Sequence, residues 1–281
     1  MKRMIVAIAA LGMLATASSV RAERYGNSNL WGTYVETFQT AAGAPAPITG
    51  ICQFVFDGGG NIVIGTPANP ISYCFTDNGA SSIGCYQAFV SPSTYTVTNE
   101  GTGSITGTLK AEPCSANTTF TENLLIQNLD SSLVAQNVLV ARTDAVVAGG
   151  DLVPQSGGPF SNATLYGQYT ESLAGSIGGV VFAGVCNDIF DGNGSIVSPS
   201  SCTFNTPTGV CHYALSGGYD IFSPAISYYG PGTGLTFGTL TGSCGTVTFG
   251  EFLKVVDGAG EVAAVSHEGT VIEAGTYLPQ E

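Results

Sequence analysis

The chain has 281 residues, of which only 10% are charged, and 20 acidic residues stand against 7 basic ones. So acidic a surface repels phosphate backbones, which clustered Lys and Arg are needed to hold, and this excludes nucleic acid and anionic membranes as partners. Ordinary soluble domains are roughly 25% charged, so here Ser, Thr, Asn, Gln and Gly must build the solvent face, which eases self-association.

The first segment, MKRMIVAIAALGMLATASSVRA, has basic Lys2 and Arg3, an apolar run to about residue 14, and small residues leading to Val20-Arg21-Ala22. This layout predicts a secretory signal peptide over residues 1–22. The apolar run is too short for a membrane anchor, so the mature chain is expected to be exported, periplasmic or extracellular, with no transmembrane span. It keeps four basic residues, Arg24, Lys110, Arg142 and Lys254.

Beyond the leader, runs rich in Val, Ile, Thr, Tyr and Phe recur about every eight to twelve residues between Gly, Pro, Asn and Asp. Residues 31–38, 50–56, 95–98, 103–109 and 138–142 are the clearest, and no helical periodicity of useful length appears. The same series then repeats. Leu30-Trp31-Gly32-Thr33-Tyr34-Val35-Glu36 answers Leu165-Tyr166-Gly167-Gln168-Tyr169-Thr170-Glu171, and FDGGGNIV from Phe56 answers FDGNGSIV from Phe190. Gly101-Thr102-Gly103 matches Gly232-Thr233-Gly234, Glu122 matches Glu251, and Ala148-Gly149 matches Ala274-Gly275. The expected fold is therefore all-β: two tandem antiparallel β-barrel-like domains, residues 23–153 and 162–281, joined by a linker over 154–161. Each has room for about eight strands, enough for a small barrel or a sandwich.

All 8 cysteines lie beyond the leader, four per copy, which in an exported chain predicts a disulfide framework of two bridges in each domain. Four cysteines allow three connectivities. Cys74–Cys85 and Cys202–Cys211 are expected because each pair brackets a short polar stretch, and Cys52–Cys114 and Cys186–Cys244 follow by elimination. No Cys-x-x-Cys pair occurs and the histidines are His212 and His267, so no metal or cofactor is expected.

The FDG stretches pose a choice between a cation loop and a turn. An oxygen-ligand loop of EF-hand type needs Gly at its sixth position and Glu at its twelfth, where counting from Asp191 gives Ile196 and Thr203. What both copies share is Asp-Gly followed by a second Gly, which is what a turn demands. GTGSITG, residues 101–107, lacks the Lys of a phosphate-binding loop and reads as a bend in a β-ribbon. No Gly-x-Ser-x-Gly elbow accompanies the histidines, so a hydrolytic triad is not expected.

The candidate ligand-binding residues are Tyr34, Glu36 and Glu122 with their counterparts Tyr169, Glu171 and Glu251. If the strand face carrying Tyr34 and Glu36 points inward, a desolvated carboxylate lies beside a tyrosine in a lumen, able to bind a ligand or move a proton. The opposite parity puts Trp31, Thr33 and Val35 inside and Glu36 in water.

The Leu-Trp-Gly-Thr-Tyr opening, the Phe-Asp-Gly-x-Gly turn, the Gly-Thr-Gly segment and Val255-Val256-Asp257-Gly258 together resemble a group of exported bacterial proteins of uncharacterised function with calycin-like β-barrels. The resemblance implies small barrels and supplies no catalytic residues. On these grounds the expected function is non-catalytic binding of a small apolar or amphipathic ligand in one or both barrels. The alternatives are a structural or adhesive assembly protein and, third, a barrel enzyme of cyclase or isomerase type.

Overall fold

The computed structural model describes residues 25–40, 48–66, 69–77, 85–111, 118–142, 148–177, 180–222, 230–258, 260–266 and 271–280. The expected leader, His267 and Cys114 lie outside the described residues. Two closed antiparallel barrels account for almost all of the rest. The first contains β1 (Trp31–Thr40), β2 (Thr49–Asp57), the two-residue β3 (Gly65–Thr66) and β4 (Asn69–Pro70), then β5 (Tyr73–Asp77), β6 (Cys85–Val97), β7 (Thr102–Ala111), β8 (Thr118–Leu129), β9 (Ala135–Arg142) and β10 (Ala148–Pro154). Its wall runs β1-β10-β9-β8-β7-β6-β5-β2 and closes through β1 with β2, while β3 and β4 form a ribbon of their own.

The second barrel contains β11 (Tyr166–Ile177), β12 (Val180–Asp191), the short β13 (Ser195–Ile196), β14 (Ser201–Thr206), β15 (Gly209–Ile221), β16 (Thr233–Gly242), β17 (Gly245–Val255), β18 (Val262–Ser266) and β19 (Val271–Pro279). It closes through β11 with β12 and through β14 with β15. Both walls are meanders of sequential antiparallel neighbours, the topology that removes exposed sheet edges. Among the described residues, no helix is long and apolar enough to cross a membrane.

A 3-10 turn closes one end of each barrel: Asn27–Asn29 before β1 and Asn162–Thr164 before β11. The plug is fastened identically in both. Asn27 Oδ1 accepts from Val97 N at 2.7 Å and Asn162 Oδ1 from Ile221 N at 2.6 Å. Tyr95 donates to the Leu30 carbonyl and Tyr219 to the Leu165 carbonyl, both at 2.8 Å. Duplication thus reaches the level of single hydrogen bonds.

Strand pairing corrects the alignment of the last strand. Tyr34 faces Pro154 across β1–β10 and Tyr169 faces Pro279 across β11–β19, so Leu152 corresponds to Tyr277 and Ala148 to Glu273. The sequence match of Ala148-Gly149 with Ala274-Gly275 is one residue out of register.

The disulfide expectations fail at every pair that the structure describes. Cys52 joins Cys74, Cys186 joins Cys202, and Cys211 joins Cys244. Cys85 is also disulfide-bonded, but not to Cys74. The physical reason is register. Cys52 and Cys74 stand directly opposite each other on β2 and β5, as do Cys186 and Cys202 on β12 and β14, with Cα atoms 4.0 Å apart in each case. Cys202 faces Tyr213 and Cys211 faces Phe204, so that expected pair is only a diagonal one. Diagonal neighbours lie about 7–8 Å apart, beyond disulfide reach.

The FDG stretches are turns. Asp57 Oδ1 accepts from Gly59 N (2.7 Å) and Asn61 N (2.9 Å), and Asp191 Oδ1 accepts from Asn193 N (2.7 Å) and Ser195 N (2.9 Å). These bonds hold both carboxyls below the usual aspartate range, with Asn61 the main cause at Asp57 and the Ser195 N–H at Asp191. Gly58 and Gly192 have φ of 73° and 75°, which a side chain would strain. In the GTGSITG stretch, Gly103 lies so close to the preceding strand, β6, that a Cβ would run into the Thr96 carbonyl.

Candidate functional site

Alternation along β1 and β11 settles which face is internal. Leu30, Tyr34 and Phe38 belong to the first lumen's core, together with Phe54, Phe56, Phe89 and Phe120. Glu36 lies on the same face and is 1% exposed, whereas Trp31 on the other face is 64% exposed. In the second barrel Tyr169, Leu173, Phe190 and Tyr219 make the equivalent core, and Glu171 is buried among them. All six candidate residues, Tyr34, Glu36, Glu122, Tyr169, Glu171 and Glu251, are therefore internal.

The two tyrosines are structural. Tyr34 donates to the Ala135 carbonyl at 2.8 Å, and Tyr169 reaches the Thr164 carbonyl of the closing turn at 3.4 Å. Burial, first of all, raises the pKa of both hydroxyls.

The glutamates meet in pairs, but the two pairs live in different company. In the first barrel, burial and then Glu122 push the Glu36 carboxyl well above its ordinary range, while the Arg142 guanidinium pulls it back. Arg142 stands directly opposite Glu122 on β9, with its guanidinium carbon 5.1 Å from the Phe120 ring centre. In the second barrel the position opposite Glu251 is Ser266. There, burial pushes Glu171 well above its range, followed by the charges of Glu251, Asp188 and Glu273 and a hydrogen bond with Glu251. Asp188 is pushed up to about 8 by burial and then by Glu251. Glu273 is raised by burial, then by Glu251 and by Asp77 of the first barrel. Thr236 Oγ1 and the Tyr277 hydroxyl both donate to Glu251 Oε2, at 2.7 and 2.6 Å.

Asp188, Glu273 and Tyr277 are absent from the sequence-based candidates. By strand pairing, their counterparts in the first copy are Phe54, Ala148 and Leu152. A search for residues shared between the copies passes over them, although Asp188 at the parity of Cys186 and Phe190 carries a visible signal: an acid on an apolar face.

The cavity beside Glu171, Glu251, Glu273 and Tyr277 measures about 20 Å³, space for about one water. A much larger space lies outside both lumens. An open cleft of about 750 Å³ runs between the barrels, bounded by β1 and β10 on one side and by β11, β12, β14 and β19 on the other. Val185 and Val210 contribute apolar surface and Gln39, Asp151 and Asn205 polar groups. None of the six sequence candidates lines it.

Next to the cleft the barrels are fastened together. Val35, Ile51 and Phe75 pack on Phe252, Val256 and Val265, with the Phe75 and Phe252 rings stacked 4.1 Å apart. Lys254, 0% exposed, donates to Gln53 Oε1 (2.5 Å), the Tyr73 hydroxyl (2.7 Å), the Pro231 carbonyl (2.8 Å) and Thr233 Oγ1 (3.2 Å). Burial lowers its pKa well below the ordinary lysine value. The expected linker is docked rather than loose: Gln155 donates to the Val255 carbonyl at 2.6 Å and Phe160 is buried in the second core.

His212 lies exposed on β15, its Nδ1 3.1 Å from Thr203 Oγ1. No protein-family model matches the chain. No curated protein matches its sequence either.

Proposed function

We propose that this is an exported, non-catalytic protein that binds a small apolar or amphipathic ligand, and that the ligand sits in the cleft between the barrels. Size is the observation that carries this reading. The cleft, at about 750 Å³, falls within the roughly 300–1,000 Å³ of small-molecule sites, and the cavity in the second lumen, at about 20 Å³, falls far below it. Apolar walls with a few polar groups suit an amphipathic molecule. Export is supported by the leader-like N-terminal sequence and by disulfides, which persist in oxidising compartments. Enzyme chemistry of cyclase or isomerase type is disfavoured, because the second lumen's carboxylates have no space beside them for an organic substrate.

An assembly role is the second reading, and one observation favours it. Val180, Val181, Val185 and Val210 are each about half exposed on the second barrel, and the last two border the cleft, so another copy of the chain can cover them.

Native mass spectrometry of residues 23–281, purified from an oxidising compartment, tests both readings. The expected result is a bound small molecule that is lost in Ala183→Trp, which fills the cleft, and kept in the lumen variant Glu36→Gln/Glu171→Gln. The reverse pattern moves the ligand into a lumen. A bare monomer removes the binding reading, and a ladder of oligomers replaces it with assembly.

A further inference from the structure

The second lumen holds Glu171, Asp188, Glu251 and Glu273, all at most 6% exposed. The first copy differs: its Glu36 and Glu122, each with one buried oxygen lacking a hydrogen-bond partner, have the half-buried Arg142 beside them, and Phe54 and Ala148 stand where the second copy has Asp188 and Glu273. The second copy thus has twice the carboxylates, and Ser266 at the position of the arginine. Burying carboxylates without compensating charge is costly.

The geometry carries a second observation. Both oxygens of Asp188, 1% exposed, and Oε1 of Glu171, 3% exposed, have no hydrogen-bond partner. Carboxylate oxygens of these two residues lie within 4.8 Å of each other. A cation about 2.3–2.6 Å from each oxygen bridges a gap of that size. Cys186 lies in the same cluster, but its sulfur is bonded to Cys202 and offers no thiolate. The donor set is therefore all oxygen, which selects hard cations over zinc or copper.

We propose that the second barrel binds one calcium ion inside its lumen, held by Glu171 and Asp188, with Glu251 and Glu273 adding charge from the small cavity that adjoins Glu171. Calcium fits better than magnesium. Magnesium keeps several waters and demands a regular octahedron, whereas calcium accepts irregular carboxylate cages and sheds its water. The cavity that adjoins Glu171, about 20 Å³, has space for about one water, too little for the several waters that magnesium keeps. The first barrel, whose arginine occupies the corresponding end of the lumen, binds none. This site is independent of the proposed cleft.

The test uses residues 23–281, stripped with a chelator and titrated with calcium chloride while native mass and thermal midpoint are read. One calcium per chain is expected, with a higher midpoint in calcium than in chelator. Asp188→Asn is expected to weaken binding about tenfold or more. Asp188→Phe/Glu273→Ala, which gives the second lumen its first-barrel residues, is expected to abolish it with β circular dichroism retained. Glu36→Gln leaves binding unchanged. If Asp188→Asn does not fold, Glu171→Gln replaces it. Absence of calcium at millimolar concentration, an unmoved midpoint, binding that survives in the folded second-barrel variants, or loss of binding in Glu36→Gln overturns the proposal.

Discussion

Glu36 and Glu122 in the first barrel hold the same places as Glu171 and Glu251 in the second, yet one pair has a guanidinium beside it and the other has two further carboxylates. The walls around them are near copies, down to the Asn and Tyr side chains that fasten each closing turn. Fold and lumen chemistry have therefore separated after duplication. The wall is specified by strand alternation and turns, which tolerate many inward residues so long as volume and charge are balanced. Phe54, Ala148 and Leu152 against Asp188, Glu273 and Tyr277, together with Arg142 against Ser266, distinguish the two lumens.

Several measurements break or sharpen that comparison. The largest effect is expected where the copies agree: Cys52→Ser/Cys74→Ser and Cys186→Ser/Cys202→Ser should each cost about 3 kcal/mol in urea unfolding, since each removes a bridge between ladder partners. Loss in one barrel only would mean that the shared wall is not equally dependent on its staple. Next, Arg142→Met should destabilise the first barrel by roughly 2 kcal/mol at neutral pH by leaving two buried carboxylates without their cation. Burial raises the folded pKa of Glu36 well above its ordinary 4.5, and Arg142 limits that rise. The Arg142→Met deficit should then be small at acid pH, where Glu36 is protonated with or without the arginine, and grow as pH rises through the raised folded pKa. A deficit independent of pH would show that the arginine acts by packing on Phe120 instead.

A smaller loss, about 1–2 kcal/mol, is expected for Lys254→Met, which removes four hydrogen bonds between and within the barrels. Here the sign reverses. A base whose folded pKa is depressed binds fewer protons folded than unfolded, so wild-type stability should rise with pH up to the ordinary lysine value of 10.5. Lys254→Met should lose that rise. The smallest effect belongs to Asp57→Ala and Asp191→Ala, which should lower the thermal midpoint slightly and equally, each losing two backbone bonds at an exposed turn.

The duplication, the all-β architecture and the FDG turns were legible because they rest on local rules: period-two alternation, Gly at positive φ, and motifs repeated at steady offsets. The disulfides were not legible, because pairing depends on which residues face each other. Cys202 and Cys211 look like natural partners in a hairpin and miss by two residues. Parity was likewise open until the barrel closed, since the Tyr34 face and the Trp31 face are both rich in aromatic and β-branched residues. Glu36 and Glu171 emerged as candidates because they are shared, with the choice between lumen and solvent left open. Asp188 and Glu273 were passed over because they are not, and Lys254 because nothing marks a lone lysine as buried between two domains.

The contact that fastens the barrels also fixes the order of the two copies. Lys254 and Ala263 sit where the first copy has Leu125 and Leu139, which are 42% and 39% exposed, and Gln53 and Tyr73 sit where the second copy has Asn187 and Ser201. Each barrel thus uses a different patch of its wall, head to tail, and the unused counterparts no longer match one another. A head-to-tail joint between like units can in principle extend without end. Here the lysine lies on the trailing barrel and its receptor on the leading one, so exchanging the order of the two copies would set Leu125 against Asn187 and Ser201 and leave the joint without its hydrogen bonds.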